Sequence, residues 1–261
     1  MLQFSNYLLA ESLDSAYNEL VKNKKNIILG GTSYLRMGDT QFNTAIDLSN
    51  LSLSYINEAR DFLHIGAMTS FRDLEVNPIL KSHFSGIISK CVENILGVQF
   101  RNNVTVGATV FSKYGFSDLI PVLLALETTV VLQGGGEIEL EDFLKEDTIR
   151  RDILVEIKIK KSNSIGNFQT IRRTKSDYAV LNLVLTKNSE NKFKIAVGAR
   201  PGKAVLAKKT MDILNSTQAI SDALFETLSN EIVFESNMRA SEEYRRAICK
   251  VMLKRALQEV L

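Results

Sequence analysis

The sequence predicts an α+β protein in two parts, a mixed region over residues 1–150 and a separate α+β domain over residues 151–261. In the first part, short apolar strands are interleaved with helical patterns, and one strand runs into a glycine turn. In the second part, a run of strands with turn-rich gaps precedes a run of helices, an order typical of an antiparallel sheet covered by helices. Hydrophobic residues make up 45% and charged residues 24% of the chain, so we expect a folded globular protein.

The first part divides near residue 60 into two stretches. Before that point we predict a helix over residues 12–22, a strand at 26–29 and a second strand just before Asp47. After it, the predicted elements are a strand at 62–66, a short helix capped by Ser70, a helix near 78–93, a strand at 104–107, a helix from residue 117, and strands at 128–132 and 138–140. Glycines at positions 134–136 are expected to close a hairpin between the last two strands.

The second part begins with four predicted strands. They cover residues 153–159, 168–172, 178–186 and 193–198, and we expect one antiparallel meander. The chain ends in a helix capped by Ser241, with an apolar i+4 row running from Tyr244 to Val260. The charged residues 242–246 at its start are interpreted as a helix surface with charge pairs.

Composition narrows the function classes. The net charge is +2 and basic and acidic residues are interleaved, which argues against a nucleic-acid partner. No apolar run reaches the roughly 20 residues of a membrane span, and the N-terminus lacks the basic start of a signal peptide, so we expect a cytoplasmic protein with no membrane partner. Cys91 and Cys249 are too few for an iron–sulfur cluster, which takes about four thiolates, and we expect both to be buried apolar residues. No metal site is predicted, so any redox chemistry would come from a bound organic cofactor.

Three segments carry residue types that suit a ligand. In the turn after the strand at 26–29, Gly30 and Gly31 allow a close backbone approach, and successive amides there form a donor surface suited to a diphosphate. Residues 101–109 are interpreted as a strand ending in a small-residue turn, with Arg101 as a phosphate-binding or structural cation. Asp118 is either a helix cap or an acceptor for ribose hydroxyls. Taken singly, the first segment is more often a plain tight turn, the second is about as often a strand that ends in a turn, and Asp118 is more often a cap.

The order of these segments resembles the FAD-binding subunit of the molybdenum hydroxylases, the family of xanthine dehydrogenase, aldehyde oxidoreductase and aerobic carbon monoxide dehydrogenase. The resemblance covers almost the whole chain and rests on six ordered segments, residues 27–35, 46–51, 63–74, 99–109, 117–126 and 239–246. It implies a two-part FAD-binding domain of the vanillyl-alcohol-oxidase (PCMH) type, with sub-domains of about residues 1–60 and 61–150. A C-terminal α+β domain of the carbon monoxide dehydrogenase flavoprotein type would follow over residues 151–261.

By this resemblance, FAD is bound non-covalently by the glycine turn, by the segment 105–109 and by isolated residues elsewhere. No catalytic residue and no metal ligand is implied in this chain. The implied cofactor-binding residues are Ile28, Leu29, Gly30, Gly31, Thr32, Ser33, Tyr34, Leu35, Ile95, Arg101, Thr105, Val106, Gly107, Ala108, Thr109, Asp118 and Leu154.

The implied function is electron transfer within an oxidoreductase. Electrons would pass from a molybdopterin-binding large subunit, through [2Fe–2S] clusters of a small subunit, to FAD in this chain and then to NAD+ or another acceptor. The expected assembly is a heterotrimer. Two alternatives stay open, a stand-alone flavin reductase or oxidase and a degenerate subunit that serves only in assembly.

The sequence departs from the family pattern in two regions. Ala108 and Thr109 stand where the family usually has Gly followed by Asn or Asp, and a lysine that family members often carry is replaced near Thr170, with Arg172 two residues on. If position 108 needed positive φ, the alanine would push the backbone away from the cofactor, so this is where we expect weaker binding. We also expect Gly31→Val to abolish FAD binding while leaving the fold largely intact.

Overall fold

The computed structural model describes residues 2–147 and 150–261. The strands are β1 (Gln3–Leu9), β2 (Ile27–Leu29), β3 (Gln41–Asp47), β4 (Ile56–Glu58), β5 (Phe62–Gly66), β6 (Thr128–Leu132), β7 (Gly136–Glu139), β8 (Leu154–Lys160), β9 (Ile165–Arg172), β10 (Ala179–Lys187), β11 (Phe193–Gly198) and β12 (Val205–Leu206). The helices are α1 (Leu13–Lys22), α2 (Phe71–Val76), α3 (Pro78–Ser82), α4 (Ile87–Glu93), α5 (Val98–Asn103), α6 (Val106–Phe111), α7 (Leu119–Ala125), α8 (Leu140–Lys145), α9 (Lys208–Thr217), α10 (Asp222–Glu231) and α11 (Glu242–Val260). None of the described helices is long and apolar enough to cross a membrane.

The chain packs into two compact units that are interleaved in sequence. The first unit takes Met1–Asp73, Gly97–Ser112 and Thr128–Ile159, and the second takes Leu74–Leu96, Lys113–Glu127 and Lys160–Leu261. A packing unit is not the same as an independently folding domain, so the domain boundaries expected near residues 60 and 150 stay a prediction.

The first unit holds two sheets. Strands β1, β3 and β2 form a parallel sheet in that order, and α1 packs on it, with Ala16 and Leu20 buried against Ile46. As predicted, α1 begins at Ser12, whose hydroxyl accepts from the Ser15 amide at 3.1 Å. Strand β1 is not predicted, because its residues are almost all exposed and show no apolar alternation.

The second sheet of this unit has five strands in the order β4-β5-β8-β6-β7. The predicted glycine hairpin between β6 and β7 is confirmed. The expectation that the strand near residues 153–159 opens the C-terminal meander is wrong, because β8 pairs antiparallel with β6 in this sheet. Its apolar alternation predicts a strand correctly but carries no information about which strand it pairs with.

Two further predicted elements are wrong. The segment 104–107 is not a strand, since α5 ends at Asn103 and Thr105 is the N-cap of α6. Its β-branched composition favours a strand, but the Thr105 hydroxyl accepts from the Ala108 amide at 3.3 Å and starts a helix instead. The single helix near 78–93 is two helices, α3 and α4, separated at Ser85 and Gly86, which have φ of +58° and +70°.

The second unit is built on an antiparallel sheet in the order β12-β11-β10-β9. One face carries the apolar core against α9, α10 and α11, including Leu183 against residues such as Leu253. The other face bears Asn182 and Thr186 and meets α7, where the Thr186 hydroxyl donates to the Ala125 carbonyl at 3.2 Å. The predicted α+β architecture with a C-terminal antiparallel sheet and helices is confirmed.

The last helix begins at Ser241 as predicted, but its charged start is not all surface. Arg245 is completely buried, whereas Tyr244 is 49% exposed. The Arg245 guanidinium donates to the carbonyls of Val180, Glu235 and Ala240 at 2.6–2.9 Å. Because arginine carries five donors in one plane, this side chain fastens the segment before α11 to the sheet.

Candidate functional site

The glycine turn follows directly from β2. Strand β2 pairs with β3 up to Leu29, and the chain then turns through Gly30 and Gly31 into a short 3₁₀ turn at Leu35–Met37. Thr32 adopts φ +58°, a conformation that β-branched residues rarely adopt, so the backbone here is strained. Among the described residues, none accepts a hydrogen bond from the amides of Thr32 and Ser33. These two half-buried amides are therefore open to a ligand.

The two glycines are required by packing rather than by positive φ. A Cβ on Gly31 would lie 1.3 Å from the carbonyl oxygen of Asn103, and a Cβ on Gly30 would lie 2.7 Å from the Cβ of Ala108. The turn thus rests directly on the backbone between α5 and α6, and the Gly31 amide donates to the Thr105 hydroxyl at 3.4 Å. A side chain at position 31 must displace the Asn103 backbone, so Gly31→Val should destabilise this turn, and its effect on the fold and on FAD binding stays a prediction.

The second segment, residues 105–109, uses its own amides internally. Val106 donates to the Thr69 carbonyl at 3.0 Å, Gly107 to the Ala67 carbonyl at 2.8 Å, and Ala108 to the Thr105 hydroxyl. Ala108 lies within α6 and has no positive φ, so its methyl group brings no backbone strain. Its Cβ faces Gly30, and we find that this segment supports the glycine turn. Direct contact of residues 105–109 with FAD stays a prediction.

The remaining implied residues lie in both units. In the first unit, Arg101 is 5% exposed within α5, and Leu154 is 5% exposed at the start of β8, where it pairs with Leu132. In the second unit, Ile95 is half-buried just after α4, and Asp118 lies before α7. Their roles toward FAD stay predictions.

Asp118 is buried and is held by two side chains. It is 5% exposed, and its Oδ2 lies 2.5 Å from an Arg172 Nη, while its Oδ1 accepts from the Asn182 amide at 2.9 Å. It does not cap α7, because Ser117 accepts from the Ile120 amide instead. The interpretation of Asp118 as a cap is therefore wrong. Burial raises the pKa of Asp118, against the opposing effects of Arg172 and Asn182.

The basic cluster near residue 172 is only partly a solvated face. Arg172 keeps 11% of its side chain exposed and also donates to the Asp177 carbonyl at 2.7 Å, whereas Arg173 and Lys175 are exposed. Asn182 was not identified from the sequence, since an asparagine within an apolar strand carries no motif. A polar side chain in the middle of the otherwise apolar run 179–185 was the available signal.

No group of three or more His, Cys, Asp or Glu side chains suited to a metal ion occurs in the described part of the chain. Cys91 and Cys249 are both buried and free, as expected. Burial raises the pKa of both thiols, that of Cys249 to about 12, which makes them inert at neutral pH.

Two sequence families match consecutive parts of the chain. The family described as "FAD binding domain in molybdopterin dehydrogenase" matches residues 2–160, and the family described as "CO dehydrogenase flavoprotein C-terminal domain" matches residues 167–260. Together they span both predicted parts of the chain.

Individual relatives agree with these matches. The glyceraldehyde dehydrogenase medium chain of Sulfolobus acidocaldarius is 26% identical over 274 residues, covering 97% of each chain. The putative xanthine dehydrogenase FAD-binding subunit of Escherichia coli is 22% identical, covering 100% of this chain and 97% of the relative. The solved carbon monoxide dehydrogenase of Hydrogenophaga pseudoflava contains a chain with the same fold, at a TM-score of 0.88 and 20% identity, covering 100% of this chain and 98% of that one.

The match to the FAD-binding domain family covers more than half of the chain. The fold, the glycine turn and the order of the motifs agree with that match. The resemblance inferred from the sequence is confirmed, and the chain belongs to the FAD-binding subunits of the molybdopterin dehydrogenases, the molybdenum hydroxylase family.

Proposed function

We propose that this chain is the electron-transfer flavin subunit of a molybdenum hydroxylase. In this proposal it receives electrons from [2Fe–2S] clusters of a small partner subunit and passes them through FAD to NAD+ or another acceptor. Oxidation of the substrate takes place at a molybdopterin-binding large subunit, so the residues that select the substrate lie outside this chain. When bound, FAD supplies the redox chemistry, and the protein's residues bind and orient it.

The observation that carries the proposal is the glycine turn packed on the backbone of Asn103. Gly30 and Gly31 leave no room for a Cβ on their protein side, and Thr32 and Ser33 present open amides at the strained corner. Successive amides in a turn form a concavity that suits a diphosphate. The residues present therefore fit the diphosphate of FAD, and Ser33 adds a hydroxyl.

Support for partner chains comes from the relatives. Two of them are named as parts of larger enzymes, a medium chain and an FAD-binding subunit.

Anaerobic reduction of the assembled enzyme tests the electron path. We expect the flavin absorbance of a complex co-purified with its large and small subunits to bleach when the oxidisable substrate is added. The isolated flavin-loaded chain should not bleach with that substrate. If the isolated chain reduces its flavin with the substrate as fast as the complex does, the chain is a stand-alone flavoenzyme and the proposal is wrong.

Electron acceptors are distinguished in the same experiment. Reoxidation of the reduced flavin by NAD+ within the turnover time identifies a dehydrogenase, and reoxidation by another acceptor alone excludes NAD+. If the complex assembles and hydroxylates substrate while this chain carries no flavin, this chain is instead an assembly subunit.

A further inference from the structure

Strand β2, which leads into the glycine turn, is held weakly by its own sheet. It has three residues and lies at the edge of the parallel sheet, where β3 is its only neighbouring strand in the described part of the chain. All three residues are half-buried, so burial stabilises them less than it does a core strand. A strand this short fixes its own register weakly. The position of Gly30 and Gly31 therefore depends on the residues that hold the two ends of β2.

At the start of β2, the side chain of Asn26 uses all of its hydrogen-bonding groups. It is 1% exposed. Its Nδ2 donates to the Glu19 carbonyl at 2.6 Å and to Glu19 Oε1 at 3.1 Å, both on α1. Its Oδ1 accepts from the Asn43 side-chain amide at 2.8 Å and from the Thr44 backbone amide at 3.1 Å, both on β3. Because every donor and acceptor of this amide is paired, Asn26 fixes the start of β2 against both α1 and β3.

The Arg151 guanidinium holds the same segment from the start of β8, in the other sheet of the unit. It donates to the carbonyls of Asn23 at 2.7 Å, Asn26 at 3.1 Å and Lys24 at 3.3 Å, and also to the Leu20 carbonyl. Leu20 lies in the last turn of α1, where carbonyls lack partners within the helix and a cation is favoured. Arginine can hold several carbonyls at once because its donors lie in one plane. One side chain thus ties the end of α1 and the connection to β2 to the second sheet.

We propose that Arg151 and Asn26 are positioning residues for the cofactor, which set the place of the glycine turn from the start of β2. The packing of Gly31 against the Asn103 carbonyl holds the other end of the strand. A binding site needs a supporting shell of hydrogen bonds that holds its groups to within about 0.5 Å. This inference rests on the proposed function, since it requires FAD to bind at the turn.

Titration of the full chain with FAD, well below the melting temperature of every variant, tests this role. Arg151→Met keeps the apolar stem and removes the guanidinium, and we expect it to weaken FAD binding about tenfold. Arg150→Met is the matched control, because it removes the same charge from the neighbouring position. Arg150 donates to the Glu146 carboxylate at 3.1 Å and lies 3.9 Å from Asp152 Oδ2, and within the described residues it has no bond to residues 20–26. That variant should keep its FAD affinity within about twofold.

A purely structural role predicts a different result. It would lower the melting temperature of Arg151→Met, but the folded protein would bind FAD as tightly as the unaltered chain. Arg151→Lys is a milder variant, which keeps the charge and loses the planar fork, and we expect it to weaken FAD binding about threefold. Unchanged FAD affinity in the folded Arg151 variants overturns the inference, and so does an equal loss of affinity in Arg150→Met.

Hydrogen exchange in the absence of FAD tests the hold on β2 directly. In Arg151→Lys we expect the amides of β2 to exchange about threefold faster, while those of β5 in the same unit keep their rates, because exchange reports opening segment by segment. If β2 exchanges as in the unaltered chain, or if β2 and β5 are accelerated equally, the inference is wrong while the proposed function stands. If β2 alone is accelerated but the unaltered chain binds no FAD, the proposed function fails, and the role of Arg151 toward the cofactor fails with it.

Discussion

At Gly31 the backbone of the glycine turn contacts the backbone that follows α5. Because a Cβ at this position would overlap the Asn103 carbonyl, Gly31→Ala must displace one of the two segments. We expect Gly31→Ala to lower the free energy of unfolding by about 1–3 kcal/mol, the usual cost of overpacking. We also expect it to reduce flavin content. Urea denaturation and flavin absorbance measure the two effects.

Gly38→Ala is the control for that variant. Gly38 lies in the same segment, its φ is −94°, and an added Cβ would lie 3.8 Å from the Leu35 carbonyl oxygen, an ordinary contact. This change should alter stability by no more than about 0.5 kcal/mol. A Gly31→Ala protein with the same stability and the same flavin content as Gly38→Ala would contradict the packing described for the turn.

At the other predicted site, Arg172 neutralises the buried Asp118 carboxylate. Arg172→Met leaves that charge unpaired, and we expect a loss of about 3 kcal/mol at pH 8, since breaking a buried pair is strongly destabilising. The variant's Asp118 pKa should rise further than burial already raises it. Above a pH of about 3.9 the unfolded state releases a proton that the folded variant still keeps on Asp118. The loss in free energy of unfolding should therefore grow as pH rises, and be smaller at pH 5 than at pH 8.

The double variant Arg172→Met with Asp118→Asn removes the titrating group. Its stability relative to the unaltered chain should show little of this pH dependence between pH 5 and 8. Denaturant unfolding at the two pH values measures both variants. A loss in Arg172→Met that is the same at both pH values would mean that Asp118 does not carry an uncompensated charge.

At the scale of elements, the start of α6 links the glycine turn to residues 105–109. The Thr105 hydroxyl accepts from the amides of both Ala108 and Gly31. Thr105→Val keeps the shape and removes both bonds, so we expect a loss of about 1 kcal/mol, as for other N-caps, together with weaker FAD binding. Thr105→Ser should restore both properties. Thermal unfolding with and without FAD measures them, and a Val variant equal to the Ser variant would contradict the link.

Most helices and strands could be predicted from sequence because capping residues and apolar periodicity are local signals. Ser12 and Ser241 begin the helices that they were expected to begin. Residues 104–107 were missed because a β-branched run favours a strand, whereas the hydrogen bond that the Ala108 amide donates to the Thr105 hydroxyl starts a helix. The partner of β8 was missed because alternation defines the buried face of a strand and not its neighbour.

At the scale of the whole molecule, the family was predictable because six motifs occur in the right order, and no single motif was sufficient. The buried positions of Arg245 and Asn182 were not predictable, because the partners that satisfy them are distant in sequence. The same holds for the interleaving of the two packing units along the chain, which depends on contacts between distant segments. The cytoplasmic location and the heterotrimer stay predictions.

The central claim is that this chain binds FAD at the glycine turn. Spectroscopic titration of the purified chain with FAD, followed by thermal unfolding, tests it most directly. We predict a flavin absorbance spectrum at about one FAD per chain and a melting temperature that rises with FAD concentration, because a ligand that binds only the folded state stabilises it. A chain that stays colourless and melts at the same temperature with and without FAD would contradict the claim.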